Sequence, residues 1–335
     1  MNFPSKFHIL LIAGIILILV PFFVGSYFLH VMIIIFFYAF LAESWNILGG
    51  LAGQLSLGHG IFFGVGAYTS SIMFIKLNVS PWVGFLVGGV FAAVLGLIIS
   101  FPVFHYKLRG AYYALVTLAY VEIFEKLALK IEYVGGALGI LIPLRESSLL
   151  ALQFQSKKPY YYICFALMII SIGITHWAKM SRFGYILSAI KEDEDAAEAV
   201  GVNATKYKLI ATALSAFLTA MGGVFYAQYT TFIDPKTTLS VFVSIEIVLR
   251  PIIGGVGTIL GPILGSFVLT PLSELTRLLI GSGQSGVHLL VYGIILIVVC
   301  LRAPRGIFVE IQTLFRKYFE KRRGEVVRHY GTARS

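Results

Sequence analysis

The chain has 335 residues, of which 58% are hydrophobic and only 13% are charged, and its mean hydropathy is +0.88. Average soluble chains carry about 25% charged residues, and a soluble fold could not keep so many apolar side chains away from water. The net charge of +10 does not indicate nucleic-acid binding. The densest basic cluster, between Arg316 and Arg323, directly follows an apolar run, where basic residues orient a membrane protein and meet anionic lipid.

Ten apolar segments come near the roughly 20 residues that a helix needs to cross the hydrocarbon layer. Their long, continuous runs favour helices over the alternating segments of a membrane β-barrel. The first run has no cleavage site for a signal peptide and is read as a retained span. We predict an all-α, polytopic transmembrane helix bundle with about 10 spans, at residues 8–25, 28–48, 59–76, 81–104, 109–130, 159–178, 207–230, 240–253, 259–279 and 287–301.

The basic residues predict the orientation of these spans. If the N-terminus is cytoplasmic and the spans alternate, most of the 26 Lys and Arg residues fall on the cytoplasmic side. An even number of spans then places both termini in the cytoplasm. The chain is expected to form one transmembrane domain over residues 1–310, followed by a basic cytoplasmic tail over 311–335. Two longer polar segments remain, an outer loop at about 131–158 and a cytoplasmic segment at about 179–206.

The cytoplasmic segment contains a predicted amphipathic helix over residues 184–201. Most of its residues are good helix formers, and Gly201 suits a helix stop. Five acids lie between Glu192 and Glu198, on the side where basic residues dominate. Such acids do not favour anionic lipid but suit a basic groove on a protein, and Ala196 and Ala197 allow a partner to approach closely. We predict a docking helix for a cytoplasmic partner, and a solvated linker helix is the alternative.

Several polar residues fall within the predicted spans, where ionisable groups are costly and indicate function by default. Some flank a glycine-rich break at residues 49–60, and irregular backbone at membrane depth is tolerated only beside protein or water. Two others are four residues apart on one helix face and can pair. These residues either line a solute path or tie helices together: Glu43, Asn46, Gln54, Ser56, His59, Glu246 and Arg250. Glycines also predict close helix packing, at Gly84, Gly88, Gly89, Gly96, Gly222 and Gly223.

No nucleotide-binding or hydrolase motif occurs in the chain, including G-x-x-x-x-G-K-[ST], H-E-x-x-H and G-x-S-x-G. The cysteines Cys164 and Cys300 lie in apolar runs without metal-ligand spacing. We therefore predict no catalytic, cofactor or metal site. Energy for any transport would have to come from a partner ATPase or from an ion gradient.

Asp195-Ala196-Ala197, followed by Gly201, resembles the coupling-loop motif of the permeases of ATP-binding-cassette (ABC) importers, which usually reads Glu-Ala-Ala and then Gly. A wider resemblance covers about residues 38–308 and is to the branched-chain amino-acid permease family of LivM type. It rests on residues 45–59 (WNILGGLAGQLSLGH), 64–68 (GVGAY), 108–110 (LRG), 182–184 (RFG), 196–209, 254–258 (GGVGT), 261–262 (GP) and 302–306 (RAPRG).

The resemblance implies a permease subunit of an ABC importer in the cell inner (plasma) membrane. It implies import of a small polar solute, most directly leucine, isoleucine or valine, into the cytoplasm. In that family, the coupling helix inserts into a groove on the ATPase. The residues that would couple to the ATPase are Glu194, Asp195, Ala196, Ala197, Glu198 and Gly201.

The implied partners are two ABC ATPase subunits, a second, homologous permease subunit, a periplasmic or lipid-anchored solute-binding protein, and membrane lipid. ATP and Mg would bind to the ATPase subunits, so this chain would not itself be an enzyme. One departure lies in the outer loop, where residues 133–140 lack the polar Thr-Gly-Gly-type stretch of the family. The alternatives are an ion-coupled secondary transporter, a membrane-embedded enzyme, or an ABC permease for urea, short amides or other amino acids.

Overall fold

The structure is a computed structural model that describes residues 14, 16–145, 147–280, 293–294, 297–298, 301, 306–310 and 312–313. Helices dominate this part of the chain, as the all-α prediction requires. The principal helices are α1 (Ser26–Asn46), α2 (His59–Leu77), α3 (Pro81–His105), α4 (Ala111–Lys130), α5 (Lys157–Met180), α6 (Arg182–Glu192), α7 (Glu194–Ala199), α8 (Ala204–Thr230), α9 (Pro235–Thr238), α10 (Val241–Gly254) and α11 (Gly261–Ile280). Two short strands, β1 (Ile140–Leu141) and β2 (Phe232–Ile233), pair antiparallel.

Six of the described segments are helical, long enough and apolar enough to cross a membrane, which confirms a polytopic membrane protein. The predicted spans near 109–130 and 259–279 also form helices, α4 and α11. Of the predicted span at 8–25, residues 14 and 16–25 are described, and residues 16–23 are helical. The predicted span at 287–301 and the tail at 311–335 lie largely outside the described residues. The count of about 10 spans and the cytoplasmic termini therefore stay predictions. The six segments are Ser26–Leu51, His59–Leu77, Pro81–His105, Lys157–Met180, Ala204–Thr230 and Pro235–Gly254.

The ends of the spans follow from local sequence signals. Helix α3 begins with Ser80 as its N-cap and Pro81 in the first turn, where the missing N–H of proline costs nothing. Helix α8 begins at Asn203, whose side chain accepts a hydrogen bond from the Lys206 N–H at 2.9 Å. Helix α2 ends at Asn78, which adopts the left-handed conformation. These signals explain why helix ends fall close to the ends of the apolar runs.

Helix α1 is the central helix of the described bundle. From Ile35 to Ala52 almost every residue is buried, and α1 packs against α5, α8, α10 and α11. Phe36 is fully buried and lies 5.2 Å from the Tyr161 ring and 5.3 Å from the Phe165 ring, measured between centroids. Because α1 is surrounded by protein, its polar residues face other helices rather than lipid.

Glycines allow the helices around α2 and α8 to approach one another closely. A Cβ atom on Gly223 would collide with the Phe63 carbonyl of α2, and one on Gly66 would collide with the Ala220 carbonyl of α8. A Cβ on Gly88 of α3 would lie 3.2 Å from the Gly66 Cα. The predicted role of glycines in close helix packing is thus confirmed.

The two ends of the bundle differ in structure. At one end, the strands pair, and Arg145 donates to the Phe74 carbonyl at 3.1 Å and to the Asn78 side chain at 2.6 Å. At the other end, the segments around 105–110, 179–206 and 255–260 come together. The positive-inside rule, applied to the whole sequence, predicts that this second end is the cytoplasmic one. The predicted coupling segment lies at this end.

Candidate coupling site

The predicted single helix over 184–201 is wrong in detail, because the segment forms two helices, α6 and α7. Asp193 separates them with an extended backbone, at φ −152° and ψ 107°. Its side-chain oxygen accepts a hydrogen bond from the Ala196 N–H at 3.0 Å and so caps α7. Aspartate at this position satisfies a free N–H at the start of a new helix, and this offsets the loss of helical continuity.

Gly201 ends α7, as predicted. It adopts φ +91°, which glycine tolerates without steric cost, and its N–H donates to the Glu198 carbonyl at 2.9 Å. The next N–H, of Val202, donates to the Ala197 carbonyl at 3.1 Å. These two bonds satisfy carbonyl groups at the end of the helix and turn the chain towards α8.

The acids of α7 are held by basic residues of this same chain. Glu194 is buried and accepts from the Lys208 Nζ at 2.6 Å and from the Arg109 Nε at 3.0 Å. Arg109 also donates two hydrogen bonds to the Asp195 carboxylate, at 2.6 and 3.0 Å. Lys107 pairs with Glu198 at 2.6 Å. The acids at 194, 195 and 198 therefore anchor α7 to the α3–α4 loop and to α8. The sequence had suggested that these acids enter a basic groove on a partner, but they are already paired within this chain.

The exposed ion pairs of this anchor shift the pKa values of their members. The bidentate hydrogen bond from Arg109 lowers the pKa of Asp195 below its usual value, and the same contact raises the pKa of Arg109. The hydrogen bond to Glu198 raises the pKa of Lys107. These shifts favour the charged forms of Asp195, Arg109 and Lys107.

The two alanines of the motif face opposite directions. Ala197 is 5% exposed and packs with Ile190 and Ala204 in a small apolar cluster under the segment. Ala196 is exposed, as are Ala199 and Val200, and 81% of the Val200 surface is accessible. The exposed small and apolar residues at α7 and its C-terminal end, which we call the α7 face, are Ala196, Ala199, Val200 and Gly201. Ala197 supports this face from below.

Two lysines connect the segment to backbone carbonyls at the cytoplasmic end of the spans. Lys191, at the end of α6, donates to the Gly50 carbonyl at 2.9 Å. Lys179, at the end of α5, donates to the Gly257 carbonyl at 2.7 Å. Gly50 lies in the π-helical turn Ile47–Leu51 that follows α1, and Gly257 lies in the loop between α10 and α11. A displacement of the segment would therefore act directly on both of these irregular regions.

Asn46 joins the same two regions to each other. Its side-chain amide donates to the Thr258 carbonyl and its side-chain oxygen accepts from the Gly257 N–H, both at 2.8 Å. The contact requires glycine at position 50, because a Cβ there would collide with the Asn46 side chain and would lie 2.8 Å from the Gly257 nitrogen. Asn46 is fully buried and acts here as a tie between α1 and the α10–α11 loop.

The other predicted path residues near the glycine-rich break are buried and contact protein. His59 Nε2 lies 2.8 Å from the Ser215 hydroxyl, and the Ser56 carbonyl accepts from the Trp45 indole at 2.9 Å. Gln54 donates to the Ala52 carbonyl at 3.1 Å. Glu43 is fully buried. The break itself is present as predicted, with a π-helical turn and then irregular backbone before α2 begins at His59. In this arrangement His59 joins α2 to α8, and Trp45 joins α1 to the break, while the part of these groups in a solute path stays a prediction.

Glu246 and Arg250 share a helix face as predicted, but their side chains do not form an ion pair. The Glu246 carboxylate accepts a hydrogen bond from the Tyr38 hydroxyl of α1. Arg250 donates to the backbone carbonyl of Glu246, and its guanidinium lies 3.4 Å from the centroid of the Tyr38 ring. Tyr38 thus separates the two charges, which sequence spacing alone does not reveal.

Sequence reasoning missed the groups that hold and connect the segment, namely Lys107, Arg109, Lys179, Lys191 and Lys208. A signal was present, because the basic α3–α4 loop and the acidic α6–α7 region were both assigned to the cytoplasmic side. Opposite charges on the same side of a membrane are candidates for pairing.

A bundle of membrane-spanning helices with an anchored polar segment, connected to irregular turns in the spans, defines a polytopic membrane protein. The family described as "Branched-chain amino acid transport system / permease component" matches residues 27–300, and the chain belongs to this family. The resemblance inferred from the sequence is thereby confirmed.

Several curated relatives are permease proteins of high-affinity branched-chain amino acid transport systems. LivM of Escherichia coli (strain K12) and LivM of Salmonella typhimurium are each 28% identical over 284 residues, which cover 77% of this chain and 65% of the relative. The match thus covers slightly less than two thirds of the LivM proteins. LivH of Salmonella typhimurium is 21% identical over 286 residues, which cover 81% of this chain and 90% of LivH. No solved structure shows a significant match.

Proposed function

We propose that this chain is the permease subunit of an ABC importer that moves branched-chain amino acids, leucine, isoleucine or valine, into the cytoplasm. The observation that carries the proposal is the α7 face, a small apolar surface on a segment that is anchored by ion pairs and connected to the spans. The names of the relatives support the choice of solute. The location is the cell inner membrane, with several spans.

The α7 face suits a groove on a cytoplasmic ATPase. Small side chains at Ala196 and Ala199 allow close approach, and Val200 adds exposed apolar area that a partner would remove from water. Two ATPase subunits, a second permease subunit and a solute-binding protein complete the proposed assembly. ATP and Mg bind to the ATPase subunits and supply the free energy.

The anchored segment transmits motion from the ATPase to the spans. When the ATPases close on ATP, the groove moves α7, and the ion pairs at Arg109 and Lys208 make the α3–α4 loop and α8 follow it. The packing of Ala197 against Ile190 makes α6 move with α7. Lys191 then acts on the Gly50 carbonyl and, through Asn46, on the loop that contains Gly257. Inward and outward access exchange because ATP binding favours one of the two arrangements.

The substitution Ala196→Arg tests this function. It places a long, charged side chain on the α7 face without disturbing the buried cluster under it, whereas Ala197→Arg would disrupt that cluster and is not a clean test. We expect Ala196→Arg to insert normally but to lose ATP-driven uptake of radiolabelled leucine in proteoliposomes that contain the complete transporter. Ala137→Arg is the control, because it places the same side chain at the opposite end of the bundle and leaves the surface proposed to contact the ATPase unchanged.

Normal leucine uptake by the Ala196→Arg protein would contradict the coupling role. Uptake by the wild-type protein that needs no ATP and collapses when the ion gradient is removed would contradict the importer function and favour a secondary transporter.

A further inference from the structure

An open groove lies between α3 and α8, at the end of the bundle that is predicted to be cytoplasmic. Its volume is about 610 Å³, which falls within the range of about 300 to 1,000 Å³ that is typical of ligand pockets. Both helices are long and apolar enough to span the membrane. We call this feature the α3–α8 groove.

Most of the α3–α8 groove is apolar and belongs to a surface that suits lipid. Its apolar part is lined by Leu97, Phe101, Leu209, Ile210 and Ala213. Further along the same helix, α3 exposes the large apolar side chains Leu86, Val90, Phe91, Val94 and Ile98. An exposed apolar surface of this extent on a spanning helix is stable against hydrocarbon and not against water.

The groove is as long as one leaflet of the membrane is thick. From Leu97 to His105 α3 advances about 12 Å, and from Asn203 to Ala213 α8 advances about 15 Å, at 1.5 Å per residue. The hydrocarbon layer is about 30 Å thick, so one leaflet accounts for about 15 Å. The groove therefore extends from the ends of the two helices to about the middle of the membrane, where a lipid acyl chain would lie.

The mouth of the groove, where α3 ends and α8 begins, is positively charged. Lys206 lines the mouth and is exposed, and its ammonium group has no ion-pair or hydrogen-bond partner among the described residues. The Asn203 side-chain oxygen caps α8, which leaves the amide N–H groups of that side chain free to donate. The His105 ring also lines the mouth and stacks on Phe101, with 5.6 Å between the ring centroids. No carboxylate lines the groove, so the mouth suits an anion.

A second groove, between α2 and α3, provides a contrast. Its volume is about 310 Å³, and its lining residues are Val65, Thr69, Phe91, Val94, Leu95 and Ile98. It has an apolar interior but no charged residue. A lipid chain can fill such a groove whatever its headgroup, whereas the α3–α8 groove combines an apolar interior with a cationic mouth.

We propose that the α3–α8 groove binds one anionic phospholipid of the cytoplasmic leaflet. An acyl chain lies along the apolar part, and the phosphate group contacts the Lys206 ammonium at the mouth. Asn203 and His105 supply N–H donors for further oxygens of the headgroup. Basic pockets between spanning helices on the cytoplasmic side favour acidic headgroups, because the attraction adds to the burial of the chain.

Photolabelling with lipids of known headgroup tests the site. The full-length protein with its partner subunits is reconstituted in phosphatidylcholine vesicles that contain a trace of phosphatidylglycerol with a photoreactive group in its acyl chain. Phosphatidylcholine with the same photoreactive chain is the matched probe. We expect residues 97–105 and 203–213 to carry several-fold more adduct with the phosphatidylglycerol probe. Val65 and Thr69, in the uncharged groove, should react equally with both probes.

Substitutions separate the mouth of the groove from its apolar part. We expect Lys206→Gln to lower phosphatidylglycerol labelling of the groove about fivefold, which corresponds to the loss of one basic residue beside anionic lipid. Arg182→Gln removes an exposed positive charge from the same end of the bundle but outside the groove, and it should leave this labelling unchanged. Ala213→Phe fills the apolar part, so it should lower labelling by both probes while Val65 and Thr69 still react.

Three results would overturn the proposal. Equal labelling of the α3–α8 groove by the two probes would mean that it accepts any lipid chain without selecting the headgroup. Labelling of Val65 and Thr69 alone would mean that protein covers the α3–α8 groove, either another subunit or another part of this chain. An equal effect of Lys206→Gln and Arg182→Gln would mean that Lys206 does not hold the phosphate. None of these results depends on leucine transport, so the proposed function stands or falls separately.

Discussion

Removing the Lys208 charge should release α7 from the spans. Lys208 is 1% exposed, and its Nζ lies 2.6 Å from the carboxylate of Glu194, which is 9% exposed. In Lys208→Met, the apolar side chain fills the space, but Glu194 keeps its charge in a buried site with only Arg109 as a partner. Removing one member of a buried ion pair typically costs about 3 to 5 kcal/mol.

This cost falls on the docked arrangement of α7, because an undocked Glu194 is free to return to water. A cost of about 3 kcal/mol lowers the ratio of docked to undocked segment more than a hundredfold. Arg109 reduces the effect, so the lower end of the range applies. The double substitution Lys208→Met with Glu194→Gln should recover much of the loss, since replacing both members of a buried pair with neutral groups is often close to neutral.

Hydrogen exchange of residues 193–202, measured on the purified protein, is the assay. We expect fast exchange in Lys208→Met, slower exchange in the double variant, and wild-type exchange in Lys206→Met, which removes an exposed lysine from the same helix. If Lys208→Met and Lys206→Met exchange alike, the buried ion pair does not hold α7, and the anchor described above is wrong.

Three further predictions concern the contacts around this anchor. The substitution Gly50→Ala should abolish leucine uptake, because the added Cβ collides with Asn46. The control protein Gly173→Ala should transport leucine normally, because its added Cβ has no neighbour within 4 Å. Equal uptake by the two proteins would refute the close contact at Gly50. Asn46→Ala should lower the free energy of unfolding by about 1 to 3 kcal/mol through the loss of two buried hydrogen bonds, and an unchanged denaturation midpoint would contradict this. Arg109 lowers the pKa of Asp195, so the ion pair should persist as the pH falls to about 5 and weaken only below the usual aspartate pKa of about 3.9. Loss of hydrogen-exchange protection of residues 193–202 at pH 5 would argue against this ion pair.

The sequence was sufficient to predict the class of fold and the place of the coupling segment. Apolar runs of about 20 residues are direct evidence of spans, and the acids between Glu192 and Glu198 stand out among basic surroundings. The division of this segment at Asp193 was not foreseen, because the residues on both sides favour helix and continuity is the simplest reading. Aspartate as an N-cap was the available signal.

The partners of the acids could not be read from the sequence, because they depend on tertiary contacts. Lys107 is 91 residues from Glu198, and Arg109 is 86 residues from Asp195. Spacing suggested that Glu246 pairs with Arg250, but Tyr38 of another helix lies between them.

Crosslinking from the α7 face tests the central claim most directly. A photoreactive amino acid is introduced at Ala196 or Val200 in the assembled transporter, and Ala137 at the opposite end of the bundle serves as the control. The account predicts that Ala196 and Val200 each crosslink to the ATPase subunit, in amounts that change when ATP is added, and that Ala137 does not. If neither position on the α7 face reaches the ATPase, or if Ala137 does, the segment is not the coupling element of this protein.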